Sequence, residues 1–193
     1  MNYNLWPSNI TVLDDFVQDK ELYTKLKDES VITQTVQGQN AKGLSECQLI
    51  IKEMTTLAVI NYCSETGIEY NCLSFTNLQK GFLYQYDESM VNNHLYEPHH
   101  DIAEQSYITA IYYIDSTYEE NKWCGGELTI YKHLSFVDYP QNIINILPKQ
   151  NRLIIFPGFL THRVKPYFGS KPRSSLVFGW SVKEPQEANN ITI

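Results

Sequence analysis

Among five histidines in 193 residues, His99 stands two positions before a carboxylate, within Tyr96-Glu97-Pro98-His99-His100-Asp101. In extended backbone, residues two apart point to the same side, so His99 and Asp101 can converge on one ion while His100 faces away. An imidazole and a carboxylate are two members of a 2-His-1-carboxylate facial triad, a ligand set that suits Fe(II) and leaves coordination positions open. The plainer reading is a surface His-Asp pair at a turn. A third ligand has to come from a distant strand, and His162 meets that requirement. It follows the apolar run Arg152-Leu153-Ile154-Ile155-Phe156 and a Pro157-Gly158 break, and begins His162-Arg163-Val164. Further on, Arg173 opens Ser174-Ser175-Leu176-Val177-Phe178 after a turn containing Gly169, Ser170 and Pro172. A hairpin between these two strands would bring His162 and Val164 near Arg173, whose face depends on the register. Arg163 is expected on the opposite face from His162 and Lys171 in solvent, which leaves Arg173 as the leading cation.

The scaffold that must position these residues changes character along the chain. Asp14-Asp15, followed by Phe16, Leu22, Tyr23 and Leu26, predicts a helix over about 17–29. Ile50, Met54, Leu57, Ile60 and Cys63 recur at helical spacing, with Gly67 as the stop, and predict a second helix over about 45–66. From Leu73 onward, short runs rich in Tyr, Ile, Val and Phe predict strands near 81–87, 95–99, 106–114, 126–132, 143–147, 152–157, 160–166 and 173–182. Eight strands in succession imply a mainly β fold with N-terminal helices: an antiparallel sandwich or barrel of jelly-roll type, braced outside by the helices. No repeat or linker divides the chain. It reads as one domain, with a helical support region at 1–72, a β core at 73–183 and a tail at 184–193.

Composition bounds the function. With 42% hydrophobic and 19% charged residues, the chain can bury roughly 70% of its unfolded surface without staples. The four cysteines form no C-x-x-C pair, and buried free thiols are expected. The opening MNYNLWPSNITVLDD has neither the basic nor the apolar part of a secretion signal, and no apolar run is long enough for a membrane span. A soluble, cytoplasmic protein is the expectation, and the sequons at Asn9 and Asn190 carry no weight in it. The net charge of -7 argues against a nucleic-acid partner. A Ser/His/Asp hydrolase finds no G-x-S-x-G to support it.

The stretch from Gly81 to Lys183 resembles the 2-oxoglutarate/Fe(II) oxygenases of the prolyl 4-hydroxylase type. The matching segments, in order, are the His99-His100-Asp101 region, Ile111-Tyr112-Tyr113-Ile114-Asp115, Gly125-Gly126-Glu127-Leu128, Arg152 to Pro157, His162-Arg163-Val164 and Arg173. The opening Ile10 to Phe16 is also similar to the start of such domains. The resemblance implies a double-stranded β-helix (cupin-like jelly roll) with His99, Asp101 and His162 as iron ligands. It implies 2-oxoglutarate as co-substrate, its distal carboxylate held by Arg173, with Tyr113 and Tyr86 as further contacts. It implies O2 as oxidant, ascorbate as a supporting reductant, and release of succinate and CO2 as a bound substrate is hydroxylated. Asp87 to His94 is longer than the usual family loop and lacks its glycine. Acidic residues with Tyr118 and Trp123 in the loops 87–95 and 116–124 favour a peptide, a prolyl residue foremost, over a nucleotide or small metabolite. A non-catalytic metal- or carbohydrate-binding jelly roll is the reading from another class, and Arg173 speaks against it. Oligomeric state is open.

Overall fold

The computed structural model describes residues 9–32, 45–68, 73–75, 82–86, 97–101, 107–116, 124–131, 143–168 and 173–182. Among these residues, two helices, α1 (Lys20–Ile32) and α2 (Glu46–Thr66), accompany nine strands. These are β1 (Thr11–Leu13), β2 (Leu73–Phe75), β3 (Phe82–Tyr86), β4 (Ile108–Asp115), β5 (Leu128–Tyr131), β6 (Ile143–Ile146), β7 (Arg152–Pro157), β8 (His162–Val164) and β9 (Arg173–Val182). The larger sheet runs β1-β7-β4-β9. The far edge of β9 pairs with β3 along Arg173 to Val177 and with β2 along Trp180 to Val182, all antiparallel. The smaller sheet is β6-β5-β8, and a bridge from His99 to His162 continues it.

Strand β4 shows how the layers are built. Its residues Ile108, Ala110, Tyr112 and Ile114 pack with Leu26, Ile51, Val59 and Tyr62 of the helices. The alternate residues Ile111 and Tyr113 pack with Leu128, Ile130 and Ile146 of the smaller sheet. Period-two geometry thus sends one set toward the helices and the other toward the second sheet. Burial on both faces is why the strand reads as an almost continuous apolar run. The fold is mostly β, and the two helices brace the outer face of the larger sheet, as expected.

Three details differ from expectation. Helix α1 starts at Lys20 because the Asp19 carboxylate accepts from the Glu21 and Leu22 N–H groups (2.9 and 3.1 Å), while Val17 is held elsewhere. Helix α2 begins with a Ser45–Gln48 capping box and ends at left-handed Gly67 (φ 74°). Its buried face, however, is Cys47, Ile51, Thr55, Val59, Tyr62 and Cys63, and Ile50, Leu57 and Ile60 are 38%, 64% and 37% exposed. Apolar residues surround much of this helix, so periodicity does not select a face; packing on the sheet does. Strands β1 and β2, three residues each, lie outside the predicted set. They are too short to show alternation and exist because β7 and β9 offer an edge to pair with.

The N-terminal segment is pinned by Asn151. Its amide oxygen accepts from the Val17 N–H (2.9 Å) and the Tyr112 hydroxyl (2.9 Å), and its Nδ2 donates to the Val17 carbonyl (3.0 Å). Its backbone carbonyl accepts from the Phe16 N–H (3.0 Å), its N–H donates to the Tyr113 carbonyl (2.8 Å), and φ is +56°. A short polar side chain tolerates that conformation. Replacing Asn151 by Ala would strand three buried polar groups and add backbone strain. A loss of about 2–4 kcal/mol is expected, read as a lower denaturation midpoint at unchanged m-value.

Candidate metal centre

His99 and His162 face each other as an antiparallel pair that exchanges both backbone bonds. The His99 N–H donates to the His162 carbonyl (2.9 Å) and the His162 N–H to the His99 carbonyl (2.8 Å). Directly opposed residues point their side chains to one face, and the rings lie 4.5 Å apart between centroids. Asp101 is held by its N–H, which donates to the Gly158 carbonyl (2.8 Å), while the Gly158 N–H donates to the Tyr107 carbonyl (2.9 Å). The break between β7 and β8 therefore docks the H-x-D segment beside His162.

Each imidazole is oriented by a backbone carbonyl. His99 Nδ1 lies 2.9 Å from the Glu97 oxygen and His162 Nδ1 2.9 Å from the Leu160 oxygen. A carbonyl only accepts, so Nδ1 carries the proton and the lone pair is left on Nε2. The two Nε2 atoms lie 4.0 and 3.7 Å from Asp101 Oδ1, beyond hydrogen-bond reach, and all three ligand atoms fall within 4.8 Å of one another. Among the described residues this is the one group of three His, Cys, Asp or Glu side chains able to hold a metal. His162 and Asp101 are buried, whereas His99 is half-buried and His100 exposed. Burial pushes the His162 imidazole below its usual value, outweighing the nearby Asp101 carboxylate. A neutral imidazole is the form that ligates.

Two residues that sequence reading did not single out complete the support. Thr109 Oγ1 donates to Asp101 Oδ2 at 2.5 Å, which fixes the carboxylate with Oδ1 toward the histidines. Phe156 meets the His162 ring edge-on at 4.9 Å. Thr109 pairs with Phe156 across β4 and β7. The available signal was a lone threonine in the apolar strand Ile108 to Ile114, on the face shared by Ile111 and Tyr113.

Arg173 is 1% exposed, and its guanidinium carbon sits 4.7 Å from the centroid of the Tyr113 ring. Register settles the face: Ser175 pairs with Tyr113 and Val177 with Ile111, so Arg173 lies on the inner face of the larger sheet with them. The expected hairpin to the His162 strand does not form. Strand β8 pairs with β5 in the smaller sheet and β9 with β4 in the larger one. The two strands thus belong to different sheets, and the space between the sheets, not a shared ladder, links Arg173 to His162. Tyr113 lies four residues from Thr109 on that face, about 13 Å along the strand. The Tyr113 hydroxyl is buried with no hydrogen-bond partner among the described residues, and beside a cation it suits an anionic acceptor. Tyr86 is the backbone partner of Arg173 in the β3–β9 ladder. Lys171 and the expected substrate loops, 87–95 and most of 116–124, lie outside the described residues. Arg163 is half-buried and adjacent to His162, on the other face of β8.

Residues 82–181 match the family model of the 2OG-Fe(II) oxygenase superfamily, and the chain belongs to that superfamily. Its fold is similar to that of a Trichoplax adhaerens prolyl hydroxylase in complex with a hypoxia inducible factor oxygen degradation domain peptide fragment, with a TM-score of 0.65 at 17% identity over 92% of this chain and 86% of that one. A Pseudomonas putida prolyl-4-hydroxylase gives 0.60 at 16% identity over 91% and 89%. IDO from Bacillus thuringiensis gives 0.61 at 12% over 93% of each. No curated protein matches the chain in sequence. The protein is thus a 2-oxoglutarate- and Fe(II)-dependent dioxygenase with the fold of the prolyl hydroxylases. Among the described residues, no helix is long and apolar enough to cross a membrane.

The Thr109 bond yields a test of the centre. Removing a partner that orients a ligand costs about 10- to 100-fold in metal affinity. Thr109→Val should weaken Mn(II) binding by that factor, measured by competition against a chelator, with the far-UV circular dichroism unchanged.

Proposed function

We propose that His99, Asp101 and His162 ligate Fe(II), that Arg173 and Tyr113 hold the distal carboxylate of 2-oxoglutarate, and that the substrate hydroxylated is a prolyl residue in a peptide. The observation that carries the reading is the convergence of two oriented Nε2 lone pairs and one carboxylate oxygen in a buried recess, within a chain of this superfamily. The donor set fits the metal: two neutral imidazoles and one anion, with half-buried His99 leaving a side open to solvent. We assign the scaffold, two sheets enclosing the recess, as a double-stranded β-helix spanning 73–183 within a single domain.

The chain supplies no nucleophile. Fe(II), when bound, would supply the redox chemistry that couples decarboxylation of 2-oxoglutarate by O2 to hydroxylation, yielding succinate and CO2; ascorbate would keep the metal reduced. The protein's residues do the rest. Glu97 and Leu160 carbonyls keep Nδ1 protonated, Thr109 turns Asp101 toward the histidines, and Phe156 lays apolar surface against the His162 ring. Arg173 can give a carboxylate two parallel hydrogen bonds and the Tyr113 hydroxyl a third. Tyr86, paired in register with Arg173, is the remaining candidate contact. A peptide substrate is supported by the fold shared with prolyl hydroxylases, one of them peptide-bound.

The test is anaerobic loading with Fe(II) followed by aerobic incubation with 2-oxoglutarate, ascorbate and proline-containing peptides with basic or acidic flanks. Succinate and a peptide heavier by one oxygen are expected. Oxidation of a free nucleotide or metabolite, with every peptide untouched, would reject the peptidyl substrate alone. His162→Ala should lose both metal and succinate formation, while His100→Ala should keep its metal. Truncating one member of a buried charge pair costs about 2–5 kcal/mol, so Arg173→Leu should weaken 2-oxoglutarate binding roughly 30- to 4,000-fold. Calorimetric titration of the Mn(II)-loaded variant reads this directly.

A further inference from the structure

Gly125 and Gly126 both adopt left-handed backbone, with φ of +71° and +76°, but for different reasons. A Cβ on Gly125 would fall 1.9 Å from the Pro166 carbonyl oxygen, so that glycine serves the close approach of two backbones. A Cβ on Gly126 would instead meet side chains, 2.8 Å from Tyr167 Cδ2 and 3.2 Å from Arg173 Cδ. The Arg173 stem therefore passes over a bare Cα, with the guanidinium against the Tyr113 ring.

Tyr167 is completely buried. It is fixed by a bridge to Gly125, by the Gly126 N–H donating to the Pro166 carbonyl (3.0 Å) and by the Phe168 N–H donating to the Cys124 carbonyl (2.7 Å). Two segments from outside β9 thus meet at the Arg173 stem. An arginine has several rotatable bonds, and a guanidinium free to wander would present its fork to a carboxylate only part of the time.

We propose that Gly126 and Tyr167 are positioning residues for Arg173: the bare Cα gives its stem a channel, the tyrosine ring walls that channel, and together they fix where the guanidinium meets the co-substrate carboxylate. This rests on the assignment of Arg173 as the 2-oxoglutarate anchor. Neither residue touches the co-substrate; both act through the arginine.

The test uses two variants of the full chain. Gly126→Ala places a methyl group in the channel, and Tyr167→Leu removes the wall without altering the glycine turn, so it carries the test should the first variant fail to fold. In Mn(II)-loaded protein, each is expected to weaken 2-oxoglutarate binding about 10- to 100-fold, the scale of losing one charge-assisted hydrogen bond. KM for 2-oxoglutarate should rise in step, while kcat at saturating co-substrate and the affinity for Mn(II) itself stay within about twofold. Tyr167→Phe, which keeps the ring, should bind like the wild type. Unchanged 2-oxoglutarate affinity in the folded variants overturns the proposal, as does a fall in Mn(II) affinity or kcat parallel to the rise in KM, which would mark a merely structural turn. Arg173→Leu separates the two levels. If it too leaves 2-oxoglutarate binding intact, the anchor assignment has failed; if it alone weakens binding, only the positioning roles fall.

Discussion

The pair of backbone hydrogen bonds exchanged by His99 and His162 is the constraint on which the site depends. Two histidines far apart in the chain become directly opposed, with both rings on one face. Side-chain torsions alone could not hold such a pair, since each imidazole has rotamers that point elsewhere. The ladder removes that freedom at the backbone, and the carbonyls of Glu97 and Leu160 remove it at the rings. Asp101 joins the same frame through Gly158. The centre is thereby tied to the turn between β7 and β8, which is anchored by β7 in the interior of the larger sheet between β1 and β4.

Electrostatics follow from the same geometry. Asp101 and Arg173 are both buried, and a charge in a poorly solvated interior is costly unless something answers it. The carboxylate is answered in part by the Thr109 hydroxyl, and a divalent cation between it and the imidazoles would answer the rest. The guanidinium lies against the face of Tyr113, whose ring carries the negative side of its quadrupole toward it. The His99, Asp101 and His162 cluster and the Arg173–Tyr113 pair lie between the two sheets, joined by the Thr109–Ile111–Tyr113 row of β4. A single strand with period two can therefore serve both ends of the site while its other face, through Ala110 and Tyr112, packs on the helices.

The sequence by itself determined which side chains are candidates for the metal, the family and nearly every strand of the core. His-x-Asp is a local pattern whose two side chains share a face wherever the backbone is extended, and His162 and Arg173 open strands that declare themselves by β-branched runs bounded by Pro and Gly. The helices were legible through Gly67 as a stop and the acidic residues before α1. Tertiary structure decided what sequence spacing cannot encode. The His162 and Arg173 strands went to different sheets, because a connecting turn of that length is compatible with a hairpin and with a crossing alike, and only the partners β5 and β4 choose. It turned Cys47, Ile51 and Val59 of α2 inward instead of Ile50 and Leu57, since a helix apolar on several sides takes its face from the sheet it meets. Thr109, Gly126 and Tyr167 acquire their meaning only from neighbours distant in sequence, through one hydroxyl bond, one absent Cβ and one ring, and such contacts come into being when the sheets close on each other.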